Sequence, residues 1–265
     1  MTQEHLVMGV DIGGTGIKAA VVDVVHGTVV SERIRIITPR PARPRPVYKV
    51  IRELQRRLGW QGAVGCGFPG LVKGGLVHRA PNLDPAWNGH DLVQDLQRWL
   101  GTEKVGVGND ADAAGLAEMK FGAGRGRGGT VVMVTLGTGI GCAMFREGVL
   151  IPDTELGHIE INGQDAEEGA SNAARERHGW NWRKWGRKVD RYLERLQYYL
   201  GVDLFIVGGG ACKKWDKFSS ALTTVSVPVV PAHMENLAGI VGAALWIPQQ
   251  AMQVSQEPAP NKPAP

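Results

Sequence analysis

The sequence predicts an α/β chain of two related halves that face a shared cleft. A glycine-rich turn between apolar, strand-like runs occurs twice, around Gly13–Gly16 and again around Gly137–Gly139, and the tetrapeptide Gly-Thr-Gly-Ile stands in both. A repeat spaced by roughly 120 residues is far longer than the 20–50 residues of a solenoid unit and fits two related domain halves. Elsewhere, short β-type runs alternate with helical windows, the pattern of a mixed α/β architecture. The 265 residues are 43% hydrophobic and 21% charged, with a net charge of +4, and the 37 glycines follow no G-X-Y period. That composition excludes collagen and, for most of the chain, disorder.

Taken in order, Leu6–Asp23 reads as two strands joined by the first glycine-rich turn. Arg40–Pro46 is a Pro- and Arg-rich connector, and Val47–Leu58 has helical apolar spacing ended by Gly59. Ala63–Phe68 reads as a buried strand, Leu92–Leu100 as a short helix, and Lys104–Val107 as a strand leading into Gly108-Asn109-Asp110. Ala111–Met119 is rich in helix formers. Thr130–Phe145 repeats the hairpin, Ala173–Leu200 is mostly helical, Leu204–Val207 is a strand entering Gly208-Gly209-Gly210, and Asn236–Trp246 is a closing apolar helix. The elements divide into a small α/β domain over 1–108, completed by the closing helix 236–247, a large α/β domain over 109–235, and a tail over 248–265 too poor in apolar residues to fold.

Cys66, Cys142 and Cys212 lie too far apart for a disulfide framework or a CxxC clamp, which favours a reducing, cytoplasmic compartment. The amino terminus has no basic segment followed by an apolar one, and no stretch approaches about 18 apolar residues, so neither secretion nor a membrane span is expected. The basic residues between Arg175 and Arg195 interleave with Glu176, Asp190 and Glu194. They read as a solvated helix face, and no nucleic-acid partner is expected.

The two turns carry the strongest chemical signal. Glycines let backbone amides converge on an anion, and neither turn is a P-loop, because Gly13–Lys18 enters a strand rather than a helix. Asp11 reads either as a solvated turn residue or as a carboxylate that meets Mg²⁺ through water. Asp110 reads either as a helix N-cap or as the general base of a phosphoryl transfer to an alcohol. Glu155, His158, Asp165, Glu167 and Glu168 offer a ring of acceptors for a polyhydroxy ligand, and the lack of nearby thiolates argues against zinc.

On these residues the chain resembles the ROK family of sugar kinases, within the actin-like ATPase superfamily, from about Val7 to Ile247. Asp11-Ile12-Gly13-Gly14-Thr15-Gly16-Ile17-Lys18 resembles the family's first phosphate motif. Thr135-Leu136-Gly137-Thr138-Gly139 resembles its second, and Gly208-Gly209-Gly210 its nucleotide-side glycines. The resemblance implies an actin-like, ribonuclease H-like fold of two domains and a homodimer. It further implies a catalytic Asp110, and a sugar held by Asn82, Asn109, Asp110, Glu155, His158 and Glu167, with Glu168 as the alternative to Glu167. Many members carry a cysteine-rich zinc motif after the Gly-His pair. Here 159–171 contains no cysteine, so no structural zinc is carried over. The segments around 32–42 and 155–161 resemble the zinc-free polyphosphate- and ATP-dependent glucokinases of the family. Glucose or mannose as acceptor, polyphosphate or ATP as donor and Mg²⁺ as cofactor are therefore the implied ligands. An ATP-only sugar kinase and a non-catalytic sugar sensor are the alternatives. The helix-turn-helix of the family's repressors is not expected, because the first hairpin begins within a few residues of Met1.

Overall fold

The computed structural model describes residues 5–81 and 83–247, so Asn82 and the tail over 248–265 lie outside the described residues. The first half opens with β1 (Leu6–Ile12), β2 (Ile17–Asp23), β3 (Thr28–Val29) and β4 (Ile34–Ile36), and continues through helix α1 (Pro44–Arg57) to β5 (Val64–Phe68). A hairpin of β6 (Leu71–Lys73) and β7 (Leu76–Arg79), helix α2 (Leu92–Leu100) and β8 (Val105–Asn109) complete it. The sheet order is β3-β2-β1-β5-β8, with β4 also paired to β2.

The second half repeats the plan. Helix α3 (Asp110–Phe121) leads to β9 (Thr130–Leu136), β10 (Ile140–Arg146) and β11 (Val149–Ile151), then to the small pair β12 (Glu160–Ile161) and β13 (Gln164–Asp165). Helices α4 (Ala166–Ala170), α5 (Asn172–Arg177) and α6 (Trp182–Leu200) cross over to β14 (Leu204–Gly208) and β15 (Val229–Pro231), and α7 (Ala238–Ala244) closes the fold. Its sheet order, β11-β10-β9-β14-β15, is that of the first sheet with each strand replaced by its counterpart. In both sheets the glycine-rich hairpin is antiparallel and the strands reached by helical crossovers are parallel. This is the duplicated topology that the actin-like resemblance implies.

Strand periodicity divides the core into layers. Met8, Val10 and Ile12 of β1 face α1 and α2, packing with Val47, Ile51, Leu54, Leu92 and Leu96. Val7 of β1, with Ala20 and Val22 of β2, belongs to a central core shared with α3, α7 and the inner face of the second sheet. On the outer face of that sheet, α6 buries Trp185, Val189, Tyr192, Leu193 and Leu196 at helical spacing and leaves Arg183, Lys184, Arg187, Lys188 and Arg191 exposed. No helix among the described residues is long and apolar enough to cross a membrane.

Two boundaries differ from expectation for physical reasons. Helix α1 begins inside the Pro-rich connector, with Pro44 in its first turn, where a missing amide hydrogen is no loss and the fixed φ suits a helix. The basic block over 173–200 is two helices, because Gly179 takes a left-handed φ of 61° between them.

The central layer is held by direct backbone approach. A Cβ at Gly242 of α7 would overlap the carbonyl of Ala113 on α3, and Cβ atoms at Gly9 and Gly65 would overlap carbonyls of Ile240 and Ala243. We expect Gly242→Ala to lower stability by about 2–3 kcal/mol, as overpacked interiors do, in denaturant unfolding. Gly169→Ala in α4, where a Cβ meets nothing within 4 Å, should instead be neutral or stabilising by up to about 1 kcal/mol.

Candidate active site

Helix α3 starts where β8 ends, and its first turn shows which side chain caps it. Asn109 is the N-cap: its backbone is extended and its Oδ1 accepts the N–H groups of Ala111 at 2.8 Å and Asp112 at 3.1 Å. Asp110 is therefore not the cap but the first helical residue. Its Oδ1 accepts only the neighbouring Ala111 N–H, at 2.9 Å, and its carboxylate lies at the cleft. Burial pushes its pKa up to about 7, the Asp11 carboxylate adds to the rise, and Glu155 contributes further.

Two cavities meet at this residue. One, of about 520 Å³, is lined by Asn109, Asp110, Thr154, Glu155, His158 and Glu167, among others. The other, of about 470 Å³, is lined by Asp11, Lys18, Asp110, Gly208–Gly210 and Lys213, among others. Asp110, Ala111, Thr135 and Gly209 line both. A larger hollow of about 910 Å³ lies on the outer side between α1 and α2, beside Arg52, Trp60 and Trp99, and holds none of the sequence motifs.

The first cavity is lined by polar groups already oriented by the fold. His158 Nδ1 lies 2.9 Å from Asp165 Oδ2, so an Nδ1–H donated to that carboxylate leaves Nε2 as an acceptor. Asp165 also caps α4, accepting the N–H of Glu167 at 2.8 Å. Glu167 Oε2 accepts the N–H of Ile140 at 2.8 Å, tying α4 to the second glycine turn. Asn109 has spent both acceptor positions on its cap and donates through Nδ2 to the Gly70 carbonyl at 3.2 Å, which leaves it one free N–H. Glu168 is exposed, is absent from the cavity wall, and gives its place to Glu167.

The turns differ in length although their sequences match: β1 and β2 are joined by four residues, Gly13–Gly16, and β9 and β10 by three, Gly137–Gly139. Three successive carbonyls of the first turn are occupied by side chains. Thr38 Oγ1 donates to Gly13 at 2.5 Å, Arg40 to Gly14 at 3.4 Å and Arg35 to Thr15 at 3.0 Å. The amides of Gly14, Thr15 and Gly16 meet no acceptor among the described residues, and neither do those of Thr138 and Gly139. Such unpaired N–H groups beside guanidinium groups form an anion-binding concavity. At the back of the second cavity, Lys18 Nζ and Asp11 Oδ2 form an ion pair at 2.9 Å.

Arg35 and Arg40 are the residues that sequence reasoning missed. Arg35 alternates with Ile34 and Ile36, a strand signal, but only the pairing of β4 with β2 sets it opposite Lys18. Thr154 lines the first cavity and had no motif to mark it. Asn82 lies outside the described residues. Of the three lysines after the third glycine motif, Lys213 lines the second cavity, whereas Lys214 and Lys217 are exposed beyond it. Among the described residues no cluster of three or more His, Cys, Asp or Glu side chains is arranged to hold a metal ion.

Comparison with known proteins agrees with this fold. Residues 7–175 match the model of the ROK family. The chain is 45% identical over 244 residues to a polyphosphate glucokinase of Mycobacterium tuberculosis, covering 92% of this chain and 91% of that one. It superposes on the inorganic polyphosphate/ATP-glucomannokinase of Arthrobacter sp. with a TM-score of 0.89 and 44% identity, over 93% of this chain and all of the other. A ROK family glucokinase from Streptomyces griseus, solved with glucose and AMPPNP, gives a TM-score of 0.77 at 26% identity, over 90% and 98% of the two chains. With the duplicated sheets, the paired glycine turns and these matches together, the chain belongs to the ROK family.

Proposed function

We propose that the chain is a sugar kinase that transfers the terminal phosphoryl group of inorganic polyphosphate or ATP to the 6-hydroxyl of glucose, with mannose as a second acceptor. One observation carries the reading: two cavities, one walled by oriented hydrogen-bonding side chains and by residues of both glycine hairpin turns, the other by Lys18, Lys213 and Gly208–Gly210, meet at a single carboxylate, Asp110. The relatives named for this activity, from Mycobacterium tuberculosis and Arthrobacter sp., support it. A homodimer belongs to the same proposal, on the family resemblance.

In this reading the sugar occupies the first cavity, held by Asn109, Glu155, His158 and Glu167, with Asn82 as a further ligand. Asp110 accepts the proton of the attacking hydroxyl. A base with a pKa near 7 is half ionised at neutral pH and still basic enough to drive the transfer. The donor runs from the second cavity, where Lys18 draws negative charge from the transferring group, toward the unpaired amides of Gly14–Gly16, Thr138 and Gly139, whose turns line the first cavity beside Asp110. Gly208–Gly210 flank the nucleoside of ATP. For polyphosphate, Lys213 receives the chain as it leaves the cavity, and Lys214 and Lys217 continue the basic path. Closure of the 1–108 and 109–235 segments over the ligands excludes water that would otherwise accept the phosphoryl group.

The residues fit magnesium. Asp11 and Asp110 line the donor cavity and repel each other enough to raise the pKa of Asp110, which marks a place for a cation with hard oxygen ligands. Asp11, through water, would hold the ion, which would supply neutralisation of charge on the transferring group.

The reading is tested by glucose 6-phosphate formation with glucose, Mg²⁺ and either nucleotide-free polyphosphate or ATP. Product is expected from both donors; product from ATP alone would remove the polymer from the assignment, and product from neither would remove the kinase. Asp110→Asn should lower kcat by about 10²–10⁴-fold while glucose still binds, as loss of a general base does. In metal- and donor-free protein, the Asp110 carboxyl should titrate near pH 7 by NMR. Asp11→Asn should move that midpoint down, because it removes a negative charge that disfavours ionisation. Raising salt should increase the KM for polyphosphate more than that for ATP, since the longer anion meets more cations; equal increases would exclude the basic path.

A further inference from the structure

Helix α3 carries two further carboxylates that take no part in the chemistry just described. Asp112 is 1% exposed and Glu118 fully buried. A buried carboxylate is costly unless its oxygens accept hydrogen bonds. Here each side chain reaches out of the helix to backbone amides of a segment that walls one of the two cavities.

Asp112 Oδ2 accepts the N–H of Asp153 at 3.0 Å. Asp153 is a non-glycine residue with φ of 61°, and the next two residues, Thr154 and Glu155, line the sugar cavity. Eight residues after Asp110 and about 9 Å further along the helix than Asp112, Glu118 makes the matching connection. Its Oε2 accepts the N–H groups of Ala123 at 2.8 Å and His233 at 3.1 Å, and its Oε1 that of Met234 at 2.6 Å. Glu235, which follows, is also a non-glycine residue at positive φ, 45°, and Glu235 and Asn236 line the donor cavity.

The left-handed conformation is unfavourable for non-glycine residues, so each segment keeps it only while its surroundings hold it there. In both segments the strained residue is at or beside an amide gripped by α3, and the cavity-lining residues come next. We propose that α3 is a common positioning element, in which Asp112 sets the acceptor-binding segment over 153–155 and Glu118 independently sets the donor-binding segment over 232–236, both relative to Asp110. The two are positioning residues: they act on affinity for one ligand each and leave the reacting atoms to Asp110. The inference rests on the sugar-kinase reading for the identity of the two ligands.

The test is a crossed measurement on the full chain, with KM for glucose and for ATP determined for each variant. Asp112→Ala should raise the glucose KM about tenfold and leave the ATP KM within about twofold, the pattern of a lost binding contribution. Asp112→Asn keeps an oxygen that can accept the Asp153 N–H and should return the glucose KM to within about threefold of the parent. Glu118→Gln offers one acceptor oxygen where three N–H groups converge, and should raise the ATP KM about tenfold with the glucose KM unchanged. Joint movement of both constants in either variant, or failure of Asp112→Asn to recover, would overturn the proposal in favour of a merely structural role. If Glu118→Gln does not fold, hydrogen exchange of the parent protein decides: the His233 and Met234 amides should be strongly protected, and rapid exchange would overturn the proposal. Lack of turnover by the parent protein would sink the kinase reading instead; the crossed pattern would then be read in calorimetric binding of glucose and of ADP.

Discussion

The N-terminus of helix α3 is the constraint on which the site depends. Its unsatisfied amides need an acceptor, and Asn109 supplies it from the end of β8, taking two of them on a single side-chain oxygen. That bond fixes where the helix begins and leaves the following carboxylate, Asp110, free of the capping role. Were Asp110 the cap, its oxygens would be spent on the helix. Because Asn109 caps instead, Asp110 stands where two cavities join, largely buried, with a pKa near neutrality. The helix itself is anchored between the two sheets by contact with α7 at Gly242 and with β10 through Gly115, where a Cβ would meet Ala143 and Phe145. A carboxylate on a helix packed on both sides keeps its position better than one on a loop.

The two halves share a topology and divide the work. Each contributes one glycine-rich hairpin with unpaired amides, but their supports differ. The first turn has its carbonyls taken by Thr38, Arg40 and Arg35, which adds positive charge around it. The second is held by a carboxylate, Glu167, through the N–H of Ile140. One turn is thus suited to phosphate oxygens by both amides and guanidinium groups. The other is linked to α4 and, through Asp165, to His158 in the first cavity. Duplication supplied the scaffold, and the side chains around each turn gave it a separate task.

Much of this was legible in the chain because its signals are local. Strand alternation, the repeated Gly-Thr-Gly-Ile and the Asn-Asp pair at a strand-to-helix junction each lie within a few residues, so periodicity and turn chemistry suffice to find them. What escaped was short or distant. Strands β3, β4, β11 and β15 have two or three residues each, too few to show a period, and are strands only because a longer neighbour pairs with them. Arg35 and Arg40 lie 20 and 26 residues from the carbonyls they bind. The Pro-rich start of α1 read as connector because local rules weigh proline as a breaker, whereas the first turn of a helix needs no donor there.

The sequence by itself therefore determined the duplicated α/β plan, the glycine turns and the identity of the carboxylates available for chemistry, since backbone preference and residue chemistry are local properties. It left Asp110 open between cap and base. Only the tertiary structure gave the cap to Asn109 and the buried carboxylates their partners. The choice rests on which neighbour reaches the α3 amides first, on the burial of Asp112 and Glu118 between two sheets, and on the amides of segments 41 and 115 to 116 residues away that those carboxylates hold. Those are properties of packing, which brings distant residues together and removes water from around charge, and no short stretch of sequence contains them.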